Sequence, residues 1–203
     1  MSASAHIRFV LVGTQHPGNI GAAARAMKTM GLARLVLVAP EKGVDEEALR
    51  RAAGADDLLV NAPVYATLAE AVADCQLVLG CTARSRRVAL EELLPAVGAQ
   101  QAVDAVAGGQ EVAIVFGRER TGLTNDELEL CQRAIHIPSD PQFSSLNLGA
   151  AVQVLAYAVR MAVLGDSAGD AADPGFREQP ATHDQVEGFY AQLGQTLDEI
   201  DFH

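Results

Sequence analysis

Residues 7–38, IRFVLVGTQHPGNIGAAARAMKTMGLARLVLV, decide the fold. Residues 7–12 are an apolar run of strand length, and residues 13–18 follow as a turn-rich loop holding Pro17. Asn19 is placed to cap a helix that runs to about Met30 and is stopped by Gly31. Residues 34–38 form a second apolar run. Strand, helix and strand in so short a span predict parallel pairing through a right-handed crossover, and hence an α/β protein.

The same alternation continues outward. A helix is expected around 45–53, a short strand near 58–60 or 64–65, a helix over 68–74 and a buried strand over 77–80. The last runs into a basic loop, CTARSRR at 81–87, before a helical region that begins near Glu91 or Pro95. Residues 111–116, EVAIVF, read as the central strand, with GRERTG at 117–122 as the loop at its carboxyl end. Thr124 and Glu127 have capping-box spacing for a helix ending near Cys131. A last strand over 134–137 is stopped by Pro138, which lacks an amide donor, and Pro141 keeps the next residues extended. Ser144, Ser145 and Asn147 then open a helix whose apolar positions Leu148, Val152, Leu155, Val159 and Val163 carry it to about Leu164.

Composition bounds the function. A chain of 203 residues, 49% apolar and 20% charged, can bury a full core in one domain. No stretch is long and apolar enough to span a bilayer, and MSASAHIRF is not a secretory signal, so a cytoplasmic location is expected. Cys75, Cys81 and Cys131, and the five histidines, lack metal-ligand spacing, and no metal is expected. The net charge of -11 is uneven: residues 166–203 hold nine acids against Arg177 alone, and residues 1–165 hold 17 acids and 14 bases. Arg8, Arg25, Lys28 and Arg34 in the first forty residues, and Arg84, Arg86 and Arg87, are therefore candidate contacts for an RNA backbone. Residues 165–181 read as an acidic flexible linker, and residues 182–203 as an amphipathic helix opened by Thr182 and Gln185, with Val186, Phe189, Tyr190, Leu193 and Leu197 on one face.

Ligands of open α/β sheets bind beyond the carboxyl ends of the strands, which directs attention to the loops after Val12, Gly80, Phe116 and Ile137. The first resembles a phosphate-binding turn but lacks both the Lys-Ser/Thr of a P-loop and the GxGxxG of a dinucleotide fold, which counts against nucleotide hydrolysis and a dehydrogenase. Taken alone, Arg25 reads as a surface residue, GRERTG as an exposed turn with local ion pairs, and 144–147 as a helix cap.

Together, Asn19 with Arg25, FGRERTGL at 116–123 and IPSDPQFSSLN at 137–147 resemble the three successive motifs of SPOUT-class RNA ribose 2'-O-methyltransferases of the TrmH type. The likeness covers residues 7–164 and is strongest to the branch that modifies cytidine or uridine at anticodon-loop position 32 of tRNA. It implies a parallel sheet flanked by helices with a C-terminal trefoil knot, S-adenosyl-L-methionine as cofactor, tRNA as substrate and a homodimer. It assigns cofactor binding to Cys81, Thr82, Ala83, Gly117, Ile137, Ser144, Ser145 and Leu146, and catalysis to Arg25 with Asn19, Glu119, Ser145 and Asn147. Gly117 is expected to let the chain approach the ligand closely. The resemblance also implies a basic helical extension beyond a position equivalent to Phe202, so a truncated form is expected. The rivals are a ribosomal RNA ribose methyltransferase of the same fold and a non-catalytic RNA-binding module.

Overall fold

The computed structural model describes residues 5–83, 90–165 and 182–200. Its chain divides into two compact units, Met1–Ala168 and Gly169–His203. In the first, seven strands form one sheet: β1 (Ile7–Val12), β2 (Arg34–Val38), β3 (Val64–Tyr65), β4 (Leu77–Cys81), β5 (Glu92–Leu93), β6 (Val112–Phe116) and β7 (Arg133–Ile135). Their spatial order is β3-β2-β1-β6-β4-β7-β5, and every pairing is parallel. A parallel sheet is covered on both faces, which is why β1 reads as an unbroken apolar run in which all six residues are buried.

Alternation within β1 sorts its side chains between two layers. Ile7, Phe9 and Leu11 join the larger core, beneath α1 (Pro17–Thr29), α2 (Glu46–Ala52), α3 (Asp56–Val60), α5 (Pro95–Ala107) and α7 (Leu148–Leu164). Val10 and Val12 face a smaller core under α4 (Leu68–Ala71) and α6 (Asn125–Glu129). Phe9 and Phe116 stack with ring centroids 5.6 Å apart, which joins β1 to the central strand. Two glycines set the helix spacing around α1. A Cβ on Gly21 would lie 2.1 Å from the Ala48 carbonyl oxygen of α2, and one on Gly149 would lie 2.9 Å from the Ala22 Cβ. Both contacts bring helix backbones closer than any larger side chain permits.

Several expectations change. The helix α1 starts at Pro17, not after Asn19, because proline's fixed φ suits the first helical position and its missing amide costs nothing there. Residues 58–60 belong to the short helix α3, and of the two alternatives for a strand only 64–65 pairs. α4 stops at Ala71 rather than at Asp74. Residues 92–93 pair with β7, so the helix begins at Pro95. The capping box of Thr124 and Glu127 forms as expected, and so does Asn147 as the N-cap of α7. Val163 is half-exposed, while Leu148, Val152, Leu155 and Val159 are buried.

The basic loop residues Arg84, Arg86 and Arg87 and residues 166–181 of the expected linker lie outside the described residues. In the second unit, α8 (His183–Glu199) opens with the reciprocal hydrogen bonds of Thr182 and Gln185. Among the described residues no helix is long and apolar enough to cross a membrane.

Candidate active site

The loops after β4, β6 and β7 converge on one cavity of about 400 Å³. That volume lies within the range of small-molecule sites. Cys81, Thr82, Ala83, Gly117, Ile137, Ser144, Ser145 and Leu146 all line it, together with Phe116, residues 118–122, Leu148 and Ala151. The eight residues expected to bind a cofactor are therefore brought together from three separate segments. Parallel pairing is the cause: β4, β6 and β7 end on the same side, so their outgoing loops share one rim.

Hydrogen bonds hold the rim in shape. The Thr82 amide donates to the Ile135 carbonyl at 2.9 Å, and the His136 amide donates to the Leu93 carbonyl at 2.9 Å. In the third loop the Ser139 hydroxyl donates to the Ser144 carbonyl at 2.9 Å. Burial pushes the Cys81 thiol up to about 12, so at neutral pH it is a protonated, polarizable wall rather than a nucleophile. Ser145 is exposed, and its hydroxyl makes no hydrogen bond among the described residues.

Gly117 is required by the fold of its own loop. A Cβ there would stand 2.1 Å from the Gly122 carbonyl carbon and 2.2 Å from the Leu123 nitrogen. The close approach is to the loop's own return, closed by the Arg118 amide to the Gly122 carbonyl at 3.2 Å and the Gly122 amide to the Arg118 carbonyl at 2.9 Å. Arg118 then forks onto Glu127 at 3.0 and 3.1 Å, tying the loop to the capped start of α6.

Beside the cavity, Glu119 is not the locally paired turn residue its neighbours suggest. Its carboxylate accepts from the Gln15 amide at 3.0 Å, the His16 amide at 3.1 Å and Asn19 Nδ2 at 2.9 Å. α1 has no acidic residue in its first turn, and its N-cap His16 makes no side-chain cap. Glu119 supplies the missing anion from about a hundred residues away, against the positive end of the helix. Asn19 Oδ1 in turn accepts from Asn147 Nδ2 at 3.0 Å, and Asn147 Oδ1 accepts from the Gly149 amide at 2.9 Å. One line of hydrogen bonds thus runs from Glu119 through Asn19 in α1 to Asn147 at the start of α7. Burial disfavours the ionised carboxyl of Glu119, but donation from Asn19, Gln15 and His16 outweighs it and holds the carboxyl below its ordinary value. Glu119 is therefore ionised at neutral pH with its oxygens occupied. It organises the site and is a poor proton acceptor.

Two guanidinium groups nearby are uncommitted. Arg120 lines the cavity and Arg25 lies on the exposed side of α1; both are exposed and neither is paired among the described residues. The other bases of the first forty residues already have partners. Arg8 is buried and bound to Asp74 and Glu111, Arg34 also binds Glu111, and Lys28 binds Asp57 at 2.6 Å. Of the four bases expected on that surface, Arg8 is buried, Lys28 is exposed but paired, and Arg25 is exposed and unpaired among the described residues. Sequence reasoning missed Arg120 and the trans-capping role of Glu119; only the loop's position between two glycines hinted at either.

Residues 6–157 match the SpoU rRNA Methylase family. The chain is 50% identical over 202 residues to the tRNA (cytidine/uridine/adenosine-2'-O-)-methyltransferase TrmJ of Pseudomonas aeruginosa, covering 97% of this chain and 79% of that protein. Among solved structures, TrmJ from Z. mobilis is 37% identical with a TM-score of 0.71, covering 96% of this chain and 81% of that one. The SpoU methyltransferase AviRb from Streptomyces viridochromogenes, solved with its cofactor AdoMet, shares the fold at 18% identity and a TM-score of 0.57, covering 75% and 56% of the two chains. With a match over most of its length and relatives at half identity, this chain belongs to the SpoU rRNA methylase family.

Proposed function

We propose that the protein methylates a ribose 2'-hydroxyl of tRNA, using S-adenosyl-L-methionine, and that its target is cytidine or uridine at anticodon-loop position 32. The observation that carries this reading is the meeting of the Glu119–Asn19–Asn147 line with a cavity walled by three strand-end loops. The wall suits the cofactor: the backbone of Ala83, Ser145 and Leu146 offers donors and acceptors for an adenine edge, and Cys81, Ile137 and Leu146 offer apolar surface. When bound, S-adenosyl-L-methionine supplies a sulfonium-activated methyl group, whose C–S bond breaks as the new C–O bond forms.

The protein's own task is to align the ribose oxygen and let its proton leave. The guanidinium of Arg25 is a donor with no acceptor atom, so its first role is to hold an RNA phosphate and orient the attacking oxygen. Any part in proton removal depends on that phosphate. Asn19 and Asn147 fix the two helix starts between which the RNA approaches, and Ser145 offers a free hydroxyl on the cavity wall. Glu119 maintains the whole arrangement.

The strand order, with β4 lying between β6 and β7 although both follow it in the chain, supports a C-terminal trefoil knot. Residues 1–164 form the methyltransferase domain in this reading, with 165–181 a linker and α8 the start of a helical extension. The protein works in the cytoplasm as a homodimer packed partly through α7, whose Tyr157 and Leu164 are exposed. A radiolabelled methyl-transfer assay on tRNA and ribosomal RNA, followed by mapping of the methylated ribose, tests the proposal. Label at the 2'-oxygen of tRNA position 32 is expected; label confined to ribosomal RNA would overturn the choice of substrate, and no transfer to either would overturn the activity.

A further inference from the structure

Phe143 is the most exposed large apolar side chain among the described residues, at 85% of its full surface. A single exposed apolar residue needs no explanation in general. This one has three features that set it apart. It directly precedes Ser144, Ser145 and Leu146 of the cavity wall. Its backbone is fixed: the Phe143 amide donates to the Asp140 carbonyl at 3.0 Å, the Gln142 amide to Asp140 Oδ1 at 2.7 Å, and the Ser139 hydroxyl to the Ser144 carbonyl at 2.9 Å. The turn so formed leaves the ring in solvent. Finally, the chain has no Trp, and the other exposed aromatic residue of the first unit, Tyr157, lies in α7 away from the cavity wall.

A ribose in a single-stranded loop must be lifted from its neighbours before its 2'-oxygen can enter a recessed site. The base beside it then loses a stacking partner, which RNA-binding proteins replace with aromatic faces. We infer that Phe143 is the stacking platform for an unpaired base next to the methylated ribose, making it a positioning residue for the RNA. The inference rests on the reading above that the substrate is RNA. Arg120, uncommitted on the same cavity, supplies positive charge for the backbone of that nucleotide.

The test compares Phe143→Ala, Phe143→Leu and Phe143→Trp in full-length protein, measuring methyl transfer to tRNA, S-adenosyl-L-methionine affinity by calorimetry, and sedimentation. Alanine and leucine should lower kcat/KM for tRNA about 10- to 100-fold, while tryptophan retains it, since stacking needs a π-face. Cofactor affinity and sedimentation should not change. Leucine performing as well as the native residue would overturn the inference. So would a loss of cofactor affinity, or of self-association, matching the loss of activity, because the ring would then be a pocket wall or a contact with a second copy. A native protein that binds the cofactor but methylates no RNA would remove the underlying reading as well.

Discussion

The two ends of the parallel sheet carry charge in opposite ways. At the amino ends of β1, β2, β6 and before β4, His6, Arg8, Arg34, Asp74 and Glu111 form a closed cluster. Arg8 reaches Asp74 at 2.6 and 2.7 Å, Glu111 at 3.2 Å and the Ala71 carbonyl at 3.0 Å, and His6 and Arg34 also meet Glu111. At the carboxyl ends Glu119 is equally occupied, but its partners are the donors of a helix start, and Arg25 and Arg120 stay unpaired. Where every charge is spent on another charge, the result is stability. Where cations are left over beside a cavity, an anionic ligand can supply the missing partner.

Replacing Arg25 by Ala should lower single-turnover methyl transfer at saturating RNA by about 100- to 1000-fold while leaving thermal stability unchanged, since the side chain has no partner to lose. Full transfer with only weaker RNA binding would exclude Arg25 from the chemical step. At the other end, Arg8→Ala should destabilise the fold by about 3 kcal/mol in denaturant titrations, because it opens a buried site and takes away the two-pronged partner of Asp74. Its activity per folded molecule should remain that of the native protein, and a selective loss would erase the division between the two ends.

Glu119→Ala should show both effects on a smaller scale. Unfolding free energy should fall by about 1–3 kcal/mol as the donors of Gln15, His16 and Asn19 lose their acceptor, and activity should fall with it. Glu119→Gln, which keeps an acceptor oxygen, should recover part of each.

The smallest effect is on acid stability. Burial opposes ionisation of Glu111, yet hydrogen bonds from His6 and Arg34, with the charge of Arg34, hold its carboxyl at about 2 against an ordinary 4.5. A lowered folded value stabilises the protein above the unfolded value, so this contribution is complete above pH 4.5 and fades as pH falls toward about 2. Glu111→Gln should flatten the stability curve in that window, and an unchanged slope would mean that the cluster does not hold the proton equilibrium.

The sequence by itself determined what depends on near neighbours. Apolar runs of strand length marked β1, β2, β4 and β6, and the short-range chemistry of Thr124 with Glu127, Asn147 and Thr182 marked helix starts correctly. The family resemblance marked which loops would meet, and all eight of the residues it assigned to the cofactor share one wall. Tertiary structure alone decided what depends on partners far along the chain. Asn19 reads locally as a cap and proves to be a bridge between Glu119 and Asn147; Glu119 reads as a local ion pair and caps a helix from the loop after the neighbouring strand, about a hundred residues along the chain. Arg8 and Arg34 read as an RNA surface and are neutralised by Glu111, which lies more than seventy residues away from either. A charge's role is set by whichever group the fold brings within hydrogen-bonding reach, and no local pattern records that distance.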